Sequence, residues 1–213
     1  MVKIPDRILG ILPGKLVPVK GYWRIGENIF RSASKSWNEK IIPKKSAQRD
    51  KMKICNDFIR AFPDTGFFNK TFPSYGETGT GYNRAANTIM NLAISGSFPN
   101  TGIFYPNVLI SKGLLPGAEN AAASDDEEGN ILFSWMDNTG NGTAKANDKV
   151  ILIAYFPAVK QVIYSIDAAT RADCKALLET NTMQGYNAET WIGFVSPDEK
   201  DAANSRYTGT IYL

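Results

Sequence analysis

The fold is decided by three stretches of sequence: ILFSWM at residues 131–136, VILIAYF at 150–156 and QVIYS at 161–165. In the first stretch Ile131, Phe133 and Trp135 share one parity, and residues of one parity lie on the same face of a pleated strand. The second stretch is apolar at both parities and rich in β-branched residues, which is typical of a central strand covered on both faces. We therefore predict three consecutive strands, with Trp135 in the core.

The rest of the C-terminal half continues this pattern. Four further stretches have the length and composition of strands, at residues 108–115, 174–178, 190–195 and 205–213. Turn-forming residues separate them and no helical periodicity lies between them, which excludes a doubly wound α/β fold. About seven strands in some 110 residues predict an immunoglobulin-like or fibronectin type III-like β-sandwich over residues 104–213.

Residues 1–103 are predicted to form an N-terminal β-arm and a helical pair. Short extended pieces at 16–19, 22–25 and 29–31 indicate the arm, with a Gly-containing hairpin loop between the last two. Apolar residues recur every three or four positions at 47–62 and 83–94, which predicts two helices. The aromatic segment 67–76 between them reads as a surface loop. The fold class is thus mainly β with a small α part.

Composition places the chain among globular proteins. The 213 residues are 43% hydrophobic and 21% charged. No run approaches the ~20 apolar residues of a membrane span, and the first residues lack the apolar core of a signal peptide. We expect a protein that stays in the cytoplasm at synthesis and has no membrane span.

The residue types present exclude several chemistries. The chain has no histidine, the residue most often used as a general base and zinc ligand near neutral pH. Its two cysteines, Cys55 and Cys174, form no C-x-x-C unit and read as free thiols. We expect no cofactor, no metal and no enzymatic activity.

Charge is distributed unevenly along the chain. Residues 1–60 hold 14 Lys/Arg against 5 Asp/Glu, or +9, whereas residues 61–213 hold 10 against 16, or −6. A basic first third can face phosphate, a membrane surface or an acidic protein. It can equally face the acidic remainder of its own chain or of a neighbouring copy.

One loop resembles a calcium-binding loop. Oxygen-bearing side chains stand at positions one, three, five and twelve of the segment that begins at Asp137, namely Asp137, Thr139, Asn141 and Asp148. Position twelve lacks the usual Glu, and predicted strands flank the loop where helices are expected. An Asn/Gly-rich turn between strands gives the same pattern for its backbone geometry alone.

Two sets of carboxylates are candidate catalytic groups. The run Asp125-Asp126-Glu127-Glu128 cannot direct four consecutive side chains into one pocket, so it reads as a solvated turn. Glu189 and Asp148 are nominal candidates for a two-carboxylate hydrolase, but nothing in the sequence places them together.

The N-terminal arm interleaves aromatic and cationic residues. The candidate interaction residues are Lys15, Lys20, Trp23, Arg24 and Arg31. Aromatic rings beside cations form platforms for single-stranded nucleic acid or glycan. The same alternation is expected of a hairpin with one buried and one solvated face.

Several motifs stand in order along the chain: Gly14-Lys15 with Val19, Gly21, Trp23 and Arg24; Ile29-Phe30-Arg31-Ser32; Gln48-Arg49; Ser111-Lys112-Gly113 with Leu115-Pro116-Gly117; Ile192-Gly193-Phe194-Val195-Ser196; and Ser205 with Tyr207 and Gly209. Together they resemble an uncharacterised family of Bacteroidetes-type bacteria and their mobile elements. The resemblance covers nearly the whole chain but implies no activity or functional residues.

Taken together, these features predict a non-enzymatic structural or interaction protein, a repeated component of a phage virion or similar assembly. Its expected partners are copies of itself or other assembly proteins, because the arm and the body carry opposite charge. The alternative is a module that binds glycan or nucleic acid through the basic aromatic arm.

Overall fold

The computed structural model describes residues 2–4, 14–16, 19–24, 27–32, 43–64 and 66–213. The chain divides into two compact units, residues 1–42 and residues 43–213. Strands predominate over helices, so the predicted mainly β class with a small α part is confirmed. The boundary predicted after residue 103 lies within the second unit.

The first unit is a small antiparallel sheet. Its strands are β1 (Val2–Ile4), β2 (Gly14–Leu16), β3 (Val19–Arg24) and β4 (Glu27–Ser32), in the spatial order β1-β4-β3-β2. β3 and β4 form the predicted hairpin, although its connecting residues 25–26 lie outside the described part. Ile29 of β4 is buried.

The second unit contains nine strands. They are β5 (Ile94–Ser97), β6 (Asn100–Ile103), β7 (Glu119–Asp125), β8 (Ile131–Met136), β9 (Lys149–Phe156), β10 (Gln161–Ser165), β11 (Lys175–Leu178), β12 (Asn187–Val195) and β13 (Arg206–Tyr212). β5 and β6 pair only with each other among the described strands. The other seven form the sandwich.

Two antiparallel sheets make up this sandwich. One has three strands in the order β11-β8-β7, and the other has four in the order β10-β9-β12-β13. Because β8 and β9 are consecutive in sequence but belong to different sheets, the chain crosses between sheets as in immunoglobulin-like folds. The predicted β-sandwich is confirmed, with a three-stranded sheet and a four-stranded sheet.

The core between the two sheets follows the parity of the sequence. Ile131, Phe133 and Trp135 of β8 are buried, while the alternate residues of that strand are exposed. They pack against the β9 and β12 residues of one parity, including Leu152 and Phe194. The alternation of apolar residues in β8 thus identifies the sandwich core.

A second core lies on the opposite face of the four-stranded sheet. The helices α1 (Pro43–Arg60), α2 (Phe67–Thr71) and α3 (Gly81–Leu92) pack there. Buried residues of these helices, such as Phe58 and Ile89, form one cluster with Ile153 of β9 and Trp191 of β12. β9 is therefore covered by helices on one face and by a sheet on the other, which explains why it is apolar at both parities.

The prediction of a surface loop at residues 67–76 is wrong for its first half. Residues 67–71 form α2, and Phe67, Phe68 and Phe72 are each at most 2% exposed. Phe67 packs against Phe62 and Tyr164 at ring-centroid distances of 4.9 and 4.7 Å. The aromatic residues therefore belong to the helical core, and only residues 73–80 form turns.

The predicted strand at residues 108–115 is also wrong. This segment pairs by a single bridge, between Leu115 and Ala203. The Ser205 side chain satisfies part of its backbone, because Ser205 Oγ accepts a hydrogen bond from Ile110 N at 2.8 Å. The segment's own Ser111 Oγ donates to Ala203 O at 2.7 Å. The seventh strand of the sandwich is instead β7, whose Ala-rich sequence gives little apolar signal.

Candidate functional site

The sheet of the first unit aligns three of the predicted interaction residues. Lys15 of β2 is opposite Lys20 of β3, and Lys20 is opposite Arg31 of β4. Neighbouring strands lie ~4.8 Å apart, so these three cationic positions fall within ~10 Å of backbone. We call this row, Lys15, Lys20 and Arg31, the basic rung. Like charges directly opposite each other destabilise a sheet, and a bound anion would offset that effect.

The other two predicted interaction residues lie on different rungs of the sheet. Trp23 is opposite Asn28, and Arg24 is opposite Glu27, an acidic residue. The structure therefore brings together Lys15, Lys20 and Arg31 by strand register but does not place Trp23 or Arg24 in that row.

Arg31 shows how the rung combines charge with an aromatic ring. Its side chain is exposed, and its Cζ lies 5.6 Å from the centre of the Tyr22 ring. This distance is within the ~6 Å range of a cation–π contact. Arg31 is thus presented to solvent on an aromatic support, an arrangement that suits contact with a carboxylate or phosphate.

The second unit carries an acidic loop between β7 and β8, at residues 125–128, whose charge is opposite to that of the basic rung. Asp126 organises it: its Oδ1 accepts hydrogen bonds from Glu128 N at 2.9 Å and Asn130 N at 2.8 Å. Hydrogen bonding from the Asn130 side chain lowers the pKa of the Asp126 carboxyl. Asp125, Glu127 and Glu128 are exposed, so the run is the predicted turn and presents three carboxylates to solvent.

The acidic loop is fixed to the neighbouring loop of the sandwich. Thr180 Oγ1 donates to Gly129 O at 3.0 Å, and Thr180 N donates to Asn130 Oδ1 at 3.1 Å. Gln184 Nε2 donates to Glu128 O at 3.3 Å. The three exposed carboxylates therefore stand on a supported backbone.

The residues of the calcium-like loop serve other purposes. Asp137 Oδ1 accepts hydrogen bonds from Thr139 N at 2.9 Å and Thr139 Oγ1 at 2.5 Å, and these lower the pKa of its carboxyl. Asn141 is exposed, whereas Asp148 is buried and paired with Arg171 at 3.0 Å. In the described ranges, no group of three or more His, Cys, Asp or Glu could hold a metal ion.

Arg171 has a structural role that the sequence does not indicate. It is fully buried, and its Nη1 donates to Asn138 Oδ1 at 2.5 Å while its Nη2 donates to Pro116 O at 3.1 Å. Its Cζ lies 3.8 Å from the centre of the Phe194 ring. Burial lowers the pKa of this guanidinium, and the bond to Asp148 opposes that effect. A single arginine in the polar segment ATRAD gives no sequence signal of this role.

The nominal hydrolase carboxylates are separated by the length of β9. Asp148 immediately precedes β9, whereas Glu189 is opposite Tyr155 near its far end. At ~3.4 Å per residue the two positions are ~24 Å apart, well beyond the separation of paired glycosidase carboxylates. Glu189 instead accepts hydrogen bonds from Tyr207 Oη and from Thr210 Oγ1.

Fold and surface together define the class of this protein: an immunoglobulin-like sandwich with a helical layer, preceded by a separate basic sheet. None of the helices described is both long and apolar enough to cross a membrane.

The chain belongs to a family of unknown function (DUF6266), whose sequence model matches residues 13–209. The match spans most of the N-terminal sheet and nearly all of the second unit, and it confirms the resemblance to an uncharacterised family. No curated protein matches the chain.

Proposed function

We propose that this is a non-enzymatic structural protein, a repeated component of a virion or comparable particle that assembles through its N-terminal sheet. The observation that carries the proposal is the basic rung, Lys15, Lys20 and Arg31, in a unit that is compact by itself. Mobile elements of Bacteroidetes-type bacteria are the setting that the motif resemblance implies. The protein is made in the cytoplasm and joins the particle there.

Charge supports an attachment between unlike surfaces. Residues 1–42 hold 8 Lys/Arg against 3 Asp/Glu, a formal charge of +5, whereas residues 43–213 hold 16 against 18, or −2. The acidic loop concentrates Asp125, Glu127 and Glu128 on a supported turn. Contact between the rung of one copy and the loop of the next is heterologous, and such contacts generate rings or filaments.

Light scattering tests the proposal. We expect the molar mass of the protein to rise with concentration at low salt and to fall when salt is raised, because exposed charge pairs are screened. Arg31→Glu in the rung, or the pair Asp125→Lys and Glu128→Lys in the loop, should each reduce the mass to that of a monomer. A mixture of the two charge-reversed proteins should form mixed dimers, because each retains one unaltered surface.

Asp126 is left unchanged in this design because it supports the loop backbone. Lys175→Glu, an exposed change on β11, is the matched control and should leave the mass unaffected. A chain that stays monomeric at high concentration and low salt contradicts the assembly proposal.

A second proposal is that the same arm binds single-stranded nucleic acid or glycan, favoured by the position of Arg31 over Tyr22. Binding to a single-stranded oligonucleotide should then weaken with salt and with Arg31→Ala. It should also weaken with Trp23→Ala if the platform extends along β3. Oligonucleotide binding that is insensitive to both changes contradicts this second proposal.

A further inference from the structure

A groove of about 730 Å³ lies in the second unit, beside the starts of β7 and β13. Pro106 and three further segments line it: Pro116 to Glu119, the loop with Asn138 and Asn141, and Asn204 to Tyr207. The volume is within the ~300–1,000 Å³ of ordinary ligand sites. Unlike most such sites, this groove is lined mainly by polar side chains.

The walls of the groove are held in place from behind. Asn138 Nδ2 donates to Gly117 O at 3.0 Å and to Glu119 Oε1 at 3.2 Å, and its Oδ1 accepts from the buried Arg171 at 2.5 Å. Arg206 Nη1 donates to Ala118 O at 3.2 Å. These bonds fix the groove before any ligand arrives, which reduces the entropy lost on binding.

Polar atoms remain unused on these fixed walls. Within the described part of the chain, no hydrogen bond is made by Arg206 Nε and Nη2, by the Asn141 side chain, by Asn204 Nδ2 or by Glu119 Oε2. The set contains both donors and acceptors. Its two charged groups, from Arg206 and Glu119, have opposite signs, so their net charge is zero.

This chemistry selects one class of ligand. A polyanion would meet the Glu119 carboxylate, a polycation would meet the Arg206 guanidinium, and an apolar molecule would leave the polar walls unsatisfied. A saccharide offers both a donor and an acceptor at each hydroxyl, and the half-buried Tyr207 supplies a ring against its apolar face. We infer that the groove is a binding site for a neutral oligosaccharide, independent of the assembly proposed above.

Affinity electrophoresis in native gels containing a neutral polysaccharide tests this inference. The probes are laminarin, galactomannan, dextran and arabinoxylan, with polygalacturonate as the anionic comparison. We expect retardation of the full chain by at least one neutral probe. Arg206→Ala should weaken that affinity about tenfold or more, and Asn141→Ala about threefold, because each removes one hydrogen-bonding group.

The variants separate binding from folding. Asn141 is exposed and its side chain makes no hydrogen bond with described residues, so its replacement leaves the fold intact. Lys175→Ala on β11 is the control that should bind like the unaltered chain. The inference is overturned by no retardation in any neutral gel, by retardation that survives both groove variants, or by Arg206-dependent retardation in polygalacturonate alone.

Discussion

The guanidinium of Arg171 is paired with the carboxylate of Asp148 at 3.0 Å, and the two side chains are 0% and 1% exposed. Asp148 Oδ2 also accepts a hydrogen bond from Lys145 N at 2.9 Å. The chain is tied at the same place by Arg171 N donating to Asp148 O at 2.9 Å and by Trp135 Nε1 donating to Arg171 O at 2.7 Å. One buried ion pair thus joins the loop before β9, the loop before β11 and the core tryptophan.

Removal of one partner should destabilise the protein strongly. Arg171→Met keeps much of the side-chain volume but leaves the Asp148 carboxylate buried without its counter-charge. We expect the free energy of unfolding, measured by urea denaturation, to fall by about 3–5 kcal/mol. The double variant with Asp148→Leu should be more stable than Arg171→Met alone, because neither charge is then buried.

An exposed ion pair provides the comparison. Lys200 and Asp198 lie 3.8 Å apart with 83% and 59% of their side chains exposed. Lys200→Met should therefore change the free energy of unfolding far less than Arg171→Met does. A loss of similar size for Arg171→Met would show that the buried pair contributes no more than a surface pair.

Local periodicity in the sequence predicted the fold correctly where it reports burial. The alternation in β8 and the doubly apolar β9 predicted a central strand and a sandwich because both faces of that strand are covered. It failed where burial depends on distant partners. β7 is an edge strand with small residues, and the segment at 108–115 is held by Ser111 and Ser205 rather than by a sheet.

The candidate sites show the same limit. The basic composition of the arm was visible in sequence, but the alignment of Lys15, Lys20 and Arg31 depends on strand register. The groove is assembled from segments far apart in sequence, such as those that contain Glu119 and Arg206, and it is held by a buried arginine. No local pattern reports that proximity.

Phe68 should be essential to the helical core. It is 2% exposed and packs against Phe62 at 4.9 Å. We expect Phe68→Ala to reduce the free energy of unfolding by about 3–5 kcal/mol, because a large cavity replaces the ring. Leu114, 76% exposed, is the control, and Leu114→Ala should have little effect in the same urea titration. Equal effects of the two changes would indicate that residues 67–71 lie at the surface and not in the core.

Gly81, at the start of α3, should tolerate no side chain. A Cβ at this position would lie 2.0 Å from Phe68 O, a backbone atom that cannot rotate away. Gly81→Ala should therefore lower stability by about 1–3 kcal/mol or more as α2 and α3 are forced apart. Gly102→Ala is the matched change, because a Cβ there meets nothing within 4 Å. Thermal unfolding should show a clear loss for the first variant only.

The two cysteines should differ in reactivity. Cys55 is 0% exposed and Cys174 is partly exposed, and both are free. Ellman's reagent should therefore label one thiol per folded chain rapidly and the second only after denaturation. The variant Cys174→Ser should show no rapid labelling. Rapid labelling of that variant would mean that α1 opens far more readily than its packing implies.

Alkaline pH should destabilise the protein partly through Cys55. Burial raises the pKa of its thiol to about 11, whereas an unfolded chain has about 8.5. Below pH ~8.5 both states keep the proton and this contribution to stability is complete. As pH rises further, the Cys55 thiol ionises first in the unfolded chain, which stabilises that state. The contribution therefore shrinks with pH until the pH reaches the folded pKa of about 11.

Between the unfolded and folded pKa values, the free energy of unfolding should lose roughly 3 kcal/mol of the Cys55 contribution. This follows because each unit of pKa difference corresponds to about 1.4 kcal/mol. Urea denaturation from pH 8 to 11 should give a shallower decline for Cys55→Ala than for the unaltered chain. The pKa of Tyr105 is raised to about 12, mainly by burial, but both proteins share that tyrosine, so it cancels in the comparison. Parallel curves for the two proteins would show that the Cys55 thiol ionises equally well in the folded state.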